Sequence, residues 1–172
     1  MKKKVFLDSS SAILMEKSDL LPLFFKVYDV SLTEAVYSEL TNNQYPSAEL
    51  FHKSYQQSCF EVRPLPEQKR DRHSKELDSL NLGERETIQQ YFSGVADFIV
   101  LDDGKAARFC KREQVPFINA LLFPKILQHS ELLSKEDCRS RLDVLISIGR
   151  YSSRVLSIAE GMGEKELKRF FP

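Results

Sequence analysis

Apolar and polar positions follow two rhythms that alternate along the chain. Val5-Phe6-Leu7 is a short apolar run that stops at Asp8 and passes into Ser9-Ser10-Ser11, the pattern of a buried strand whose C-terminal end opens into a helix cap. Residues 12–25 space Ile13, Leu14, Leu20, Leu21 and Phe24 as an amphipathic helix does, with Asp19 and Pro22 predicting a break or a second start inside it. Residues 27–32 then alternate apolar and polar side chains among β-formers, which predicts a second strand. Thr33 is placed to cap a helix in which Ala35, Val36 and Leu40 form the apolar stripe and Glu39 falls near the end. Residues 42–47 read as a loop, 48–58 as a short helix, and Phe60-Glu61-Val62 as a strand closed by Pro64 and Pro66.

The second half repeats the theme. Residues 67–76 set Lys69, Arg70, Arg72 and Lys75 against Glu67, Asp71 and Glu76 with no apolar residue, a solvated surface segment and the best linker candidate, yet too short to divide domains. Leu80-Asn81-Leu82-Gly83 leads into a helix over about 84–92, and residues 96–101 form the clearest buried strand, again ending at acids, Asp102-Asp103. A helix over about 105–112 and a strand over 115–118 follow, and residues 120–171 read as mostly helical. Strands alternating with helices predict an α/β fold: parallel β-α units whose sheet is covered on both faces by helices. Ligands in such sheets bind beyond the carboxyl ends of the strands, which is where Asp8 and Asp102-Asp103 fall.

Size and composition narrow the picture. At 172 residues the chain suits one compact domain, and its apolar and charged fractions are those of a globular protein. Twenty-five basic and 25 acidic side chains cancel, which removes the global basic footprint of a tight non-specific nucleic-acid binder and confines any such contact to a local patch. Cys59, Cys110 and Cys138 and His52, His73 and His129 stand too far apart to suggest a disulfide framework or a structural zinc site. No apolar run approaches the roughly 18 residues of a membrane span, and only Val5-Phe6-Leu7 follows Lys2-Lys3-Lys4, too little for a secretory leader. A cytoplasmic, reduced protein without membrane attachment is the expectation.

One acid after a strand is commonplace, because Asp caps helices well. Two strand-end acids in one crevice differ: close carboxylates raise one another's pKa, and a cluster left ionised needs a compensating cation. Oxygen ligands without Cys or His favour Mg²⁺ or Mn²⁺, hard ions that polarise phosphoryl oxygens and activate water, so the pattern points to phosphate chemistry.

Four stretches in order carry a resemblance: Val5-Phe6-Leu7-Asp8-Ser9-Ser10; Glu39 within Val36-Tyr37-Ser38-Glu39-Leu40; Leu82-Gly83-Glu84-Arg85-Glu86-Thr87-Ile88; and Leu101-Asp102-Asp103-Gly104-Lys105-Ala106-Ala107-Arg108. Together they resemble the PIN domain family, closest to its VapC-like bacterial branch, over roughly residues 4–130. The resemblance implies a three-layer α/β/α sandwich about a central parallel sheet, with a PIN-like nuclease domain over 1–130 and a helical C-terminal extension, 131–172, packed on the same domain. It also implies a metal-dependent ribonuclease in which Asp8, Glu39, Glu84 and Asp102 or Asp103 bind Mg²⁺ or Mn²⁺, with Glu86 an alternative ligand. RNA is the expected substrate; a protein antitoxin and a second copy of the chain are further candidate partners.

Ser9, Lys105 and Arg108 are candidate substrate contacts, with Lys111 and Arg112 continuing the basic face, although such a face is more often simply solvated. Arg150 and Arg154 read as ordinary surface charges. Phe24, Phe25, Phe123, Phe170 and Phe171 suit a core or interface better than a base-stacking platform. Two departures from the family pattern stand out: Gly104 lengthens the spacing to Arg108, and Asn119-Ala120 replaces a Gly-Thr pair after the last strand. The competing readings are a non-catalytic PIN-like interaction module and a haloacid dehalogenase-type phosphatase, for which Ser10 stands where a second Asp is wanted.

Overall fold

The computed structural model describes residues 1–65 and 74–172. Five strands, β1 (Lys4–Leu7), β2 (Asp29–Thr33), β3 (Glu61–Arg63), β4 (Phe98–Val100) and β5 (Phe117–Ile118), form one parallel sheet in the order β3-β2-β1-β4-β5. The helices are α1 (Ser9–Lys17), α2 (Leu21–Val27), α3 (Glu34–Leu40), α4 (Ala48–Gln56), α5 (Ser74–Leu77), α6 (Leu82–Phe92), α7 (Gly104–Arg112) and α8 (Leu122–His129), then α9 (Lys135–Ile148), α10 (Ser153–Gly161) and α11 (Glu164–Leu167), closed by a 3₁₀ turn over Lys168–Phe170. The chain is an α/β/α sandwich, as its alternating pattern predicts.

Successive residues of a strand point to opposite faces, and β1 and β4 sort accordingly. Val5, Leu7, Phe98 and Val100 face one apolar cluster with α1, α2, α3, α8 and the C-terminal helices. Phe6, Ile99 and Leu101 face the other, with Leu77 of α5, Ile88 of α6 and Phe109 of α7. Both faces are buried, which is why these strands read as unbroken apolar runs.

The strand order decides where a ligand can sit. From β1 the sheet grows through β2 to β3 on one side and through β4 to β5 on the other. The crossover direction reverses between β1 and β4, which opens a crevice outside their carboxyl ends. The residues that follow those two strands are Asp8 and, after Leu101, Asp102.

Several boundaries move for identifiable reasons. The helix expected over 12–25 is two: α1 ends in a paired backbone cap, Asp19 N–H on the Glu16 carbonyl at 3.1 Å and Leu20 N–H on that of Met15 at 2.8 Å. Asp19 takes the left-handed conformation this needs (φ 52°), which Asp tolerates, and Pro22 starts α2. Helix α2 runs on to Val27, so β2 begins at Asp29 rather than 27. Helix α1 starts at Ser9, earlier than expected, because Asp8 itself is the cap. Helix α6 starts at Leu82 rather than 84, behind a capping box of Asn81 and Glu84. Of the charged segment expected over 67–76, residues 74–76 begin α5, and 67–73 lie outside the described residues.

Phe24, Phe123 and Phe170 are core residues, and Phe25 and Phe171 pack against that core. The Phe170 ring meets Phe98 edge-on at 5.1 Å, and the Tyr28 hydroxyl donates to the Phe170 carbonyl at 2.6 Å. The C-terminal helices therefore share the main core through Leu145, Ala159, Leu167 and Phe170. Among the described residues no helix is long and apolar enough to cross a membrane.

Candidate functional site

Asp8 leaves β1 in extended conformation, its amide donating to the Val100 carbonyl of β4 at 3.0 Å. Its Oδ1 accepts the Ser11 amide at 2.8 Å, so it caps α1 while being only 2% exposed. Capping alone would leave an acid at the surface. Here burial, and next the charge of Asp102, push the Asp8 carboxyl up to about 7; hydrogen bonds from Ser11 oppose the rise, and Glu84 adds to it.

Asp102 stands beside it at the end of the neighbouring strand. Its Oδ2 accepts the Ser11 hydroxyl at 2.7 Å and the Ala120 amide at 3.0 Å, and its Oδ1 accepts the Tyr151 hydroxyl at 2.6 Å. Burial raises its pKa despite these three donors. Asp103 plays a different part: its Oδ1 caps α7 through the amides of Lys105 at 2.6 Å and Ala106 at 2.9 Å.

The glutamates approach from the other side. Glu84, 7% exposed, occupies the third position of α6, where its carboxylate accepts the Asn81 side-chain amide at 2.6 Å and the Asn81 backbone amide at 3.3 Å. Its pKa is raised by burial first and then by the charges of Asp103 and Glu39. Glu39 is exposed at the end of α3 and accepts the Ser9 hydroxyl at 2.5 Å. Gly83 lies against this neighbourhood: a Cβ there would meet Val36 Cγ2 tightly, at 3.1 Å, and both Glu39 carboxylate oxygens in ordinary contact, at 3.4 Å. Glu86 turns away and accepts the Ala35 amide at the start of α3, at 3.2 Å.

The sheet and its flanking helices thus bring Asp8, Asp102, Asp103, Glu84 and Glu39 into one electrostatic neighbourhood. The charges that act on Asp8 are those of Asp102 and Glu84, and those on Glu84 are Asp103 and Glu39, acids in each case. Hard oxygen donors with no soft ligand suit a divalent cation, which would relieve their mutual repulsion. Asn119 adds a carbonyl: its Oδ1 is buried without a hydrogen-bond partner among the described residues, one position before the Ala120 amide that holds Asp102. As the side chains stand, no three acids, histidines or cysteines among the described residues form a ready cation cage, so coordination calls for side-chain adjustment.

Half of the basic face is committed to the protein. Lys105 donates to the Ser79 carbonyl at 2.5 Å, and Arg112 pairs with Glu76 and Glu113, whereas Arg108 and Lys111 are exposed. Ser9 is engaged by Glu39. Arg150 and Arg154 are exposed. A groove of about 840 Å³, lined by Lys4, Phe25, Asp29, Tyr55 and Glu61, lies at the amino ends of β1–β3, across the sheet from the acids.

Two residues at the acids escape sequence reasoning. Ser11 joins Asp8 to Asp102 and had a signal, since an N-cap Asp bonds the residue three positions on. Tyr151 had none, because only the tertiary fold carries the turn after α9 to Asp102.

Comparison with known proteins agrees with this geometry. A family model described as PIN domain matches residues 4–158, extending past residue 130 through the turn that holds Tyr151. A search of curated proteins finds no match. PIN domains are generally metal-dependent nucleases, and with nine-tenths of its length matched and the acids gathered at the crossover switch, the chain belongs to the PIN domain family.

Proposed function

We propose that the chain is a metal-dependent endoribonuclease that hydrolyses RNA phosphodiester bonds at the acid cluster. The observation that carries this reading is Asp8: a nearly inaccessible carboxylate at the sheet's switch point, acted on by other acids. Asp8 and Asp102 would hold a Mg²⁺ or Mn²⁺ ion between neighbouring strand ends, and Glu84, Glu39 and Asp103 would complete the shell directly or through water. When bound, the ion polarises phosphoryl oxygens and lowers the pKa of water. The protein's own part is orientation: Ser11 fixes the spacing of Asp8 and Asp102, Asn81 holds Glu84, and Ser9 holds Glu39. Arg108 is exposed on the helix that Asp103 caps and would steer the phosphate backbone; Lys105 would join it by exchanging the Ser79 carbonyl for a phosphate oxygen.

Substrate class is tested with end-labelled single-stranded RNA and DNA of one sequence, in Mn²⁺ and in EDTA. Internal cleavage of the RNA alone, abolished by EDTA, is the expected result; equal cleavage of DNA contradicts the RNA assignment, and cleavage in EDTA contradicts the metal. Resemblance to the VapC-like branch extends the reading to a cytoplasmic toxin restrained by a protein antitoxin. Expression of the wild-type chain alone then arrests growth, and expression of Asp8→Asn does not. One observation favours a non-catalytic interaction module instead: Asp102 is already hydrogen-bonded at both oxygens. Such a module shows no Mn²⁺-dependent rise in melting temperature.

A further inference from the structure

The Tyr151 hydroxyl reaches Asp102 across 49 positions of chain. Three donors share that carboxylate, two on Oδ2 and one on Oδ1. A carboxylate offers about four lone-pair sites, so the acceptor capacity left over is on Oδ1, beside Tyr151. Without the phenol, rotation of the group about its last bond would be limited only by the two contacts on Oδ2.

The tyrosine is also seated. A Cβ at Gly149 would fall 2.2 Å from Tyr151 Cε2 and 2.7 Å from Cδ2, so only glycine lets the ring lie there. The Gly149 backbone is extended (φ −82°, ψ 148°), open to any residue, which leaves close approach as the reason for glycine: to the ring first, and to the Leu145 carbonyl oxygen, which the same Cβ would meet at 2.8 Å. Anchoring the C-terminal helices does not call for this contact. Phe170 and Leu167 are in the core, Lys125 caps the carbonyls of Ala159, Glu160 and Met162, and Arg141 binds the Ser18 carbonyl and Asp19. A hydroxyl directed at a buried acid is a choice beyond anchoring.

We infer that Tyr151 is a positioning residue of the nuclease site, fixing the Asp102 carboxylate so that it offers Oδ1 to the cation. The segment after α9 is then part of the active site rather than an appendage to it. This inference rests on the metal-dependent reading above.

The test is a Mn²⁺ titration of melting temperature and of RNA cleavage for the wild type, Tyr151→Phe and Gly149→Ala. Loss of an outer-shell partner typically weakens metal affinity about 10–100-fold, and Tyr151→Phe should raise both Mn²⁺ midpoints by that factor. Cleavage should recover most of its rate at saturating Mn²⁺, with the KM for RNA unchanged. Gly149→Ala displaces the ring and also crowds the Leu145 carbonyl at the end of α9, so it should raise the midpoints in the same direction with an added loss of melting temperature in EDTA, and Tyr151→Phe is the variant that decides. The midpoint decides, because a purely structural anchor changes only the melting temperature in EDTA. An unchanged midpoint overturns the inference, as does a lower one, which would make the phenol a competitor of the cation. Failure of the wild type to respond to Mn²⁺ by either readout overturns the metal reading and this inference with it; a responsive wild type matched by Tyr151→Phe overturns the inference alone.

Discussion

The Ser11 hydroxyl donates to Asp102 Oδ2 at 2.7 Å from a residue whose amide donates to Asp8 Oδ1 at 2.8 Å. One fully buried serine in the first turn of α1 therefore sets the distance between the acids that end β1 and β4. The alternative for those acids, two unrelated helix caps, has no use for a bridge between them. Asp103 next door shows what plain capping looks like, with both its bonds spent on α7 amides.

Asp8→Asn should separate stability from function. Asn keeps the cap on Ser11 and removes a charge whose pKa is pushed up to about 7 by burial and Asp102. A carboxyl with a folded pKa above its unfolded value of 3.8 binds its proton more tightly in the native state. Its contribution to metal-free stability is then greatest below about pH 4, falls as pH rises towards 7, and is flat above that. In EDTA at pH 8, urea denaturation should find Asp8→Asn more stable than wild type by about 1–3 kcal/mol, with the difference shrinking towards pH 4. A variant less stable than wild type at pH 8 would contradict the assignment of Asp8 as a strained charge.

Asp102 and Asp103 should respond unequally. Asp102 shares Ser11 with Asp8, whereas Asp103 caps α7 and acts on Glu84 at a distance. Asp102→Asn, which removes a proposed ligand charge rather than a ligand's partner, should lower RNA cleavage at fixed Mn²⁺ by more than the roughly 10–100-fold expected for loss of an outer-shell partner. Asp103→Asn, which retains a capping side chain, should cost less. Equal losses would place both acids in one role.

Gly83→Ala tests the packing of α6 against α3. The new methyl would meet Val36 Cγ2 at 3.1 Å, and Val36 is fully buried with little rotamer freedom. Helix propensity favours Ala by about 0.5–1 kcal/mol, but overpacking costs about 1–3, so a net loss of roughly 1 kcal/mol is expected by chemical denaturation. Because relief of the Val36 contact moves α3, which carries Glu39, away from α6, which carries Glu84, the Mn²⁺ midpoint should also rise. A more stable variant with wild-type Mn²⁺ response would mean that Glu39 and Glu84 tolerate separation.

Phe170→Ala measures how far the C-terminal segment belongs to the domain. The ring is 2% exposed, lies edge-on to Phe98 of β4, and sits beside the carbonyl that Tyr28 binds. Truncation should cost about 3–5 kcal/mol in one cooperative transition; a loss under 1 kcal/mol would mark the segment as peripheral.

What the sequence discloses follows from the range of the interactions involved. Strands buried on both faces announce themselves as apolar runs, and Asp8 and Asp102-Asp103 are legible because they end such runs. The break at Asp19 is legible for the same local reason, a left-handed cap followed by Pro22. Position 28 is not: Tyr28 looks like a strand residue, but α2 continues through Val27 to bury Phe24, and β2 starts late. The choice between Asp102 and Asp103 stays open in the sequence because both precede a helix, and only the Ser11 and Ala120 donors distinguish them. Tyr151 and the ring space at Gly149 depend on where α9 packs, which no local pattern carries.

The central claim is that the acid cluster is a cation-dependent hydrolytic site, and it is tested most directly by cleavage of end-labelled single-stranded RNA with Mn²⁺, Mg²⁺ or EDTA, using wild type and Asp8→Asn purified in parallel. The account predicts internal cleavage by the wild type in Mn²⁺ or Mg²⁺, none in EDTA, and none by Asp8→Asn under any condition. Cleavage that survives in Asp8→Asn, or a wild type that neither cleaves nor gains melting temperature from Mn²⁺, would contradict it.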